Sequence, residues 1–433
     1  MYRAALLLAL ITAGCSDATF PATTAIDAGG DDAGVADATA GIDSQHDAVP
    51  HDVEGRSDGG DGPRDAGPDS AGDLTSDAEV DTPADSLDAP DTPIDLPDDT
   101  PDATVDPDVV DVDTMADADS GPDLPVHPLD DTLRLNQLQA LGTHNSYHVQ
   151  PAIPVPEWAY SHLPLDEQLG MQGVRQFELD LNWDLFGRRF RVFHVPVIDD
   201  VTTCDDMITC LNVLHGWSLA HPAHHPMLVM LEMKSGDGAA AEQLEVLHSE
   251  ILAVWPRESV IAPDDVRGDF ETLREAVTQA GWPTLGASRG KILFVLHASG
   301  GWRRALLDGA PSAEGKLIFP DTFDDTDEPF AAFRSINDPV ANGSDIAEAV
   351  RAGFLVRTRS DSNGVEARAR DFDRAAAAFE SGAQFVSTDF PYPPSDDAYG
   401  VVVPGGTPSR CNPLIAPMSC FSQAVEDPRA ILP

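Results

Sequence analysis

The segment from Thr132 to Pro433 predicts an α/β fold, a (β/α)8 barrel of the TIM type, preceded by a disordered acidic tether. Three observations carry the barrel. The segment is about 300 residues long, one domain's worth for such a barrel. Roughly eight strand-like runs alternate with helical patterns along it, favouring closure over an open doubly wound sheet. No glycine-rich dinucleotide fingerprint follows any of these runs.

In chain order the strand-like runs are LNQLQALG, VRQFELDLN, FRVFHVP, PMLVMLEMK, KILFVLH, a weaker one near FRSIND, then GFLVRTRSD and AQFVSTDF. Several are apolar on both faces, as strands between a filled barrel interior and an outer helical layer must be. The helical patterns are LPLDEQLGMQG, CDDMITCLNVLHGWSLA, AAAEQLEVLHSEILAVW, DFETLREAVTQAG, GSDIAEAVRAG and ARARDFDRAAAAFESG. Glycine closes many of them, the usual C-terminal stop.

Charge is distributed unevenly. The chain has 433 residues, with 74 acidic against 26 basic and a formal net charge of −48. Roughly 33 acidic and about 2 basic residues fall between Ser16 and Asp131. That segment is Asp, Ala, Pro, Gly and Thr with almost no aromatics, so it cannot bury enough apolar surface to offset chain entropy. Residues 16–131 are therefore expected to form an extended, self-repelling linker. The overall charge excludes non-specific nucleic-acid binding, which needs basic patches.

Ahead of the linker, residues 1–15 (MYRAALLLALITAGC) carry Arg3, an apolar run from Ala4 to Ile11 and small residues ending at Cys15. The run is too short to span a bilayer and reads as a secretory signal. TAGC resembles a bacterial lipobox, implying cleavage before Cys15 and its lipidation. The protein is then exported, an outer-membrane or cell-surface lipoprotein held by its N-terminal lipid; plain cleavage would leave it periplasmic or secreted. Four cysteines remain, Cys204, Cys210, Cys411 and Cys420. An even number in an oxidising compartment suggests disulfides, with Cys204–Cys210 and Cys411–Cys420 the short-loop choice. A monomer is expected.

Polar residues gather where the strand-like runs end. His144 and Asn145 end the first, Glu178 and Asp180 the second, His194 the third, and Glu232 and Lys234 the fourth. Arg357 and Arg359 end the seventh, and Asp389 the eighth. In a barrel these ends converge on the catalytic face. Glu178 and Asp180, two apart, point to one side of their strand and repel unless a cation or proton offsets them. Asn145, Glu178, Asp180 and Glu232 offer hard oxygen ligands, which suit Ca²⁺ first and Mg²⁺ second. Two histidines beside them suit acid–base work near neutral pH. Lys234, Arg357 and Arg359 could hold a phosphate, with Asp389 lining the same pocket. The set fits phosphodiester chemistry.

GTHNSY, FELDL, FHVP, LEMK, LVRTRSD and SGAQFVSTDF, in this order, resemble the Ca²⁺-dependent bacterial branch of the phosphatidylinositol-specific phospholipase C-like phosphodiesterases. The resemblance implies a distorted barrel, catalytic His144 and His194, and calcium held by Asn145, Glu178, Asp180 and Glu232. It further implies attack by a hydroxyl of the substrate's own inositol and expulsion of diacylglycerol from a phospholipid.

Blander readings exist for each residue. Glu178 and Asp180 could form a salt-bridge network with Arg175 or Arg357. His148 reads as loop, and His297 lies on the catalytic face without an assigned role. His215, His221, His224 and His225 fall before the fourth strand, on the stability face, and read as surface or capping residues. Two other functions compete: a glycerophosphodiester phosphodiesterase, whose His-Arg-Gly opening this chain lacks, and a surface-displayed binding barrel without turnover. The catalytic part keeps about −18 of charge, awkward for docking on anionic lipid.

Overall fold

In the computed structural model, residues 127–392, 399–405 and 408–426 are described. The expected signal with Cys15 and the expected linker up to residue 126 lie outside them. Part of the segment expected to be linker lies within the fold: Asp130 accepts from Arg289 Nε on Oδ2 and from Nη2 on Oδ1, so the folded part starts before Thr132.

Eight parallel strands form the barrel: β1 (Leu138–Thr143), β2 (Val174–Asp184), β4 (Met227–Met233), β5 (Ile292–His297), β6 (Phe319–Pro320), β7 (Phe333–Ser335), β8 (Leu355–Arg359) and β9 (Phe385–Thr388). The hydrogen-bonded order is β6-β5-β4-β2-β1-β9-β8-β7. Between β6 and β7 the seam is a single parallel bridge, Asp321 with Phe333. The barrel is nearly closed. Helices Met207–Ala220, Ala240–Val254, Pro339–Ala352 and Asp373–Glu380 lie between strands, together with shorter ones. Among the described residues no helix is long and apolar enough to cross a membrane.

Two strands depart from the sequence reading. FRVFHVP supplies β3 (Arg189–Val192), which is not a barrel strand: it pairs antiparallel with the far end of β2, Leu181 opposite Val192. The eighth barrel strand is β6, a two-residue element in LIFP that shows no readable period. The last strand, β10 (Ser409–Cys411), runs antiparallel to the start of β1. The two disulfides are Cys204–Cys210 and Cys411–Cys420, as the short-loop choice had it.

Strand periodicity divides the core into an outside and a filled inside. Phe177, Leu179 and Leu181 of β2 pack with Leu211 and Leu247 of the outer helices in one buried cluster. The inside is layered. Its lower layers hold Ala140, Leu228, Met230, Leu293, Val295, Phe319, Phe333, Leu355 and Phe385. Two residues further along each strand the inward position turns polar: Glu232 on β4, His297 on β5, Ser335 on β7, Arg357 on β8 and Ser387 on β9. Packing thus gives way to chemistry at one level of the barrel. Gly142 on β1 makes room at that level, because a Cβ there would lie 1.9 Å from Gln176 Oε1.

Candidate active site and cation centre

The turn after β1 is fastened before it can carry chemistry. Thr143 Oγ1 donates to Ser146 Oγ (2.7 Å), and Ser146 Oγ accepts from the backbone N–H of Glu178 (2.8 Å). The turn needs a residue at φ 45°, and Asn145 occupies it; asparagine tolerates this left-handed region better than most. That geometry explains why GTHNSY packs so many polar side chains into one loop.

His144 stands on the turn with Nδ1 2.8 Å from Asp389 Oδ1. Its Nε2 faces Arg359 Nη1 at 3.4 Å, and Arg359 Nη2 donates to Asp389 Oδ2 at 3.1 Å. Burial and the Arg359 charge push the imidazole's proton affinity down, more than Asp389 raises it. His144 is therefore neutral near pH 7, with Nδ1–H held by a carboxylate and Nε2 carrying the lone pair. Asp389 was expected to line the pocket; it acts on His144 directly.

His194 reaches this end by another route. It follows β3 rather than a barrel strand, and its Nδ1 lies 2.7 Å from Asp199 Oδ2. Asp199 also accepts from His148 Nε2, at 2.9 Å. Burial opposes ionisation of Asp199, but the hydrogen bonds from His148 and His194 outweigh it and hold the carboxyl below its usual range. His148, read as loop, is thus half of a two-histidine clamp on one fully buried carboxylate. A tight turn, Val195 against Asp199, sets the spacing. Asp199 was missed because nothing local in VPVIDD marks one acid over the next; a His-x4-Asp spacing was the only available signal.

Carboxylates occupy the same end. Arg357 Nη2 donates to Glu178 Oε2, so one of the two salt-bridge alternatives is realised, while Arg175 pairs with Glu426 instead. Lys234 Nζ lies 2.7 Å from Glu232 Oε1 and 2.9 Å from Asp180 Oδ2. The ammonium is engaged by two acids rather than free for substrate. Burial pushes Asp180 up to about 6, against the pull of Lys234. For Glu232 burial acts the same way, but Lys234 and His297 win and hold it down to about 2. Asp180 is therefore the acid of this trio that takes a proton first.

Ligand atoms of Glu178, Glu232 and His297 all lie within 4.8 Å of one another. Asn145 Oδ1 is buried and accepts no hydrogen bond, and neither oxygen of Asp180 accepts a well-directed one despite the nearby ammonium. Buried acceptors without donors beside converging carboxylates are the donor set that a hard cation takes. The residues present fit calcium. Of the expected ligands, Glu178 and Glu232 converge directly and Asn145 presents a free acceptor, whereas Asp180 is turned to Lys234.

On the opposite, stability face, His224 and His225 are buried against Ser218, Arg175 and Glu426, and burial pushes them down to about 4 and about 3. They pin the C-terminal segment.

The family description "Phosphoinositide phospholipase C, Ca²⁺-dependent" matches residues 133–191 and 187–413. The fold is similar to that of the calcium-dependent phosphoinositol-specific phospholipase C of a Gram-negative Pseudomonas species, at 18% identity, covering 67% of this chain and 100% of that one with a TM-score of 0.50. A Ca²⁺-dependent phosphatidylinositol-specific phospholipase C from Streptomyces antibioticus is 22% identical, covering 59% of this chain and 95% of that one, with a TM-score of 0.45. No curated protein sequence matches.

Proposed function

The chain belongs to the Ca²⁺-dependent phosphoinositide phospholipase C family of phosphoric diester hydrolases, and from that premise we propose that it cleaves phosphatidylinositol-type lipids by attack of the substrate's own inositol hydroxyl. One observation supports this most: two imidazoles, each fixed through Nδ1 by a buried carboxylate, at the barrel end that carries the carboxylate cluster.

Asn145, Glu178 and Glu232, with Asp180 beside them, would hold calcium, whose charge would acidify the attacking hydroxyl and offset that of the phosphate. His144 Nε2 takes the hydroxyl proton, and Asp389 steadies the imidazolium that results. Arg359, next to that nitrogen, offers its guanidinium to a phosphoryl oxygen. His194 gives the Nε2 proton to the departing diacylglycerol oxygen while Asp199 holds Nδ1–H. Lys234 and Arg357 keep the clustered acids apart electrically. The first products are diacylglycerol and a cyclic inositol phosphate.

In this reading the enzyme is exported and works at a membrane surface, tethered through Cys15. The signal-like first residues and the lipobox-like TAGC support that placement.

The test is release of diacylglycerol from phosphatidylinositol vesicles by the full chain, with calcium and then with chelator. Calcium-dependent release is expected. Cleavage only of glycerophosphodiesters to a glycerol phosphate would replace this reading with its nearest rival.

A further inference from the structure

His297 has no part in the reaction above, yet its position is that of a ligand. On β5 it occupies the inward level at which β4 presents Glu232, and the two residues are register partners across the parallel pair. Its ligand atom belongs to the trio with Glu178 and Glu232, all within 4.8 Å. Two atoms held about 2.3–2.6 Å from one central ion lie at most about 4.6–5.2 Å apart, so this trio can share one ion.

The far side of the ring is fixed. Nδ1 lies 2.7 Å from Asp321 Oδ2, with Ser335 Oγ at 3.5 Å. Asp321 is fully buried, and its Oδ1 accepts from the backbone N–H groups of Phe323 (3.1 Å) and Ser335 (3.2 Å). A carboxylate held this way only accepts, so Nδ1 carries a hydrogen and Nε2 is the nitrogen left for a cation. A carboxylate fixing one nitrogen of an imidazole that stands among acids is the usual support of a metal-binding histidine. Asp321 also makes the one bridge that closes the barrel between β6 and β7, so the support is part of the frame.

We infer that His297 is a further ligand of the cation, through Nε2, and that the centre is a mixed oxygen–nitrogen site. The inference rests on the cation site proposed above. Its consequence is a shift in metal preference. An all-oxygen cage suits calcium and magnesium, whereas an imidazole nitrogen adds affinity for ions such as Mn²⁺. This chain therefore binds Mn²⁺ more tightly, relative to Ca²⁺, than its oxygen ligands alone allow.

The experiment uses the full chain, stripped with chelator and loaded with one equivalent of Mn²⁺, read by pulsed electron paramagnetic resonance. A nitrogen coupling is expected in the wild type, and ¹⁵N labelling of histidine must change it, a readout that needs no variant. His297→Gln should lose the coupling and weaken Mn²⁺ binding about tenfold or more, with a smaller change for Ca²⁺. His144→Gln should keep it. Bound Mn²⁺ without histidine coupling, or a coupling that survives His297→Gln, would overturn the assignment and leave the calcium site standing. Mn²⁺ binding that Glu232→Gln does not weaken would overturn the site itself, and His297 with it.

Discussion

Asp199→Asn isolates the acid half of the mechanism. The carboxylate is fully buried and accepts from His194 Nδ1 at 2.7 Å and His148 Nε2 at 2.9 Å. An asparagine keeps one acceptor and replaces the other with a donor. If its carbonyl stays on His194, its NH₂ meets His148 Nε2, and that ring must move its hydrogen to Nδ1. His148 Nδ1 is buried with no partner, so the new N–H is unsatisfied, a cost of about 1–3 kcal/mol. Losing a charged hydrogen bond on His194 adds about 1.5–3 kcal/mol. The fold should survive with a lower denaturation midpoint.

Catalysis should suffer more selectively. Without the anion behind it, the His194 imidazolium loses stabilisation and the ring binds its proton less well. With phosphatidylinositol, whose leaving group needs that proton, kcat should fall about 10²–10⁴-fold. An inositol phosphodiester with a nitrophenol leaving group departs unaided and should lose about tenfold or less. An acid works only while protonated, so the alkaline limb of the pH–rate profile should move to lower pH. Steady-state kinetics with the two substrates decides the matter. Equal losses on both, or an unmoved alkaline limb, would refute the acid role of His194.

Glu178→Gln should weaken calcium binding about tenfold or more by calorimetry. It should also lower stability by about 3 kcal/mol in denaturant, because Arg357 is left buried without its anion. Burial pushes Glu250 up to about 7 from an ordinary 4.5, with Oε2 unpartnered. The folded state therefore holds a proton that the unfolded chain releases, and stability drains away as pH rises from about 4.5 to 7. Glu250→Gln should remove that slope and stabilise the enzyme by about 2–3 kcal/mol at pH 8 in a urea titration. Replacing both Cys411 and Cys420 by serine should cost about 2–3 kcal/mol of stability and leave kcat unchanged. The same change at Cys204 and Cys210 should lower kcat, because that disulfide fastens the segment that follows Asp199.

Much of the barrel was legible because packing imposes a period: inward positions of PMLVMLEMK, KILFVLH and GFLVRTRSD read apolar, apolar or polar, and the last of them names a site residue. Glu232 and Arg357 could be picked out on that ground alone. What failed was local evidence about partners. FRVFHVP has strand composition, but only the four-residue turn before it, with Asp184 Oδ1 capping the N–H groups of Phe186 and Gly187, reveals a hairpin. In β6 two residues cannot display alternation. Asp321 and Asp199 lie among other acids, and what distinguishes them is which histidine the fold brings against them. Glu178 and Asp180 were read as a repelling pair in need of a cation; the counter-charge comes from Arg357, which linear sequence could name only as an alternative, and from Lys234, which it read as a phosphate contact.

Phosphorus NMR of phosphatidylinositol turnover by the full chain in calcium tests the central claim most directly. Intramolecular attack predicts a cyclic inositol phosphate that appears before any acyclic monoester, and its loss in His144→Ala. An acyclic inositol phosphate formed from the outset, with no cyclic species at any time, would mean that water attacks the phosphorus and would contradict the mechanism.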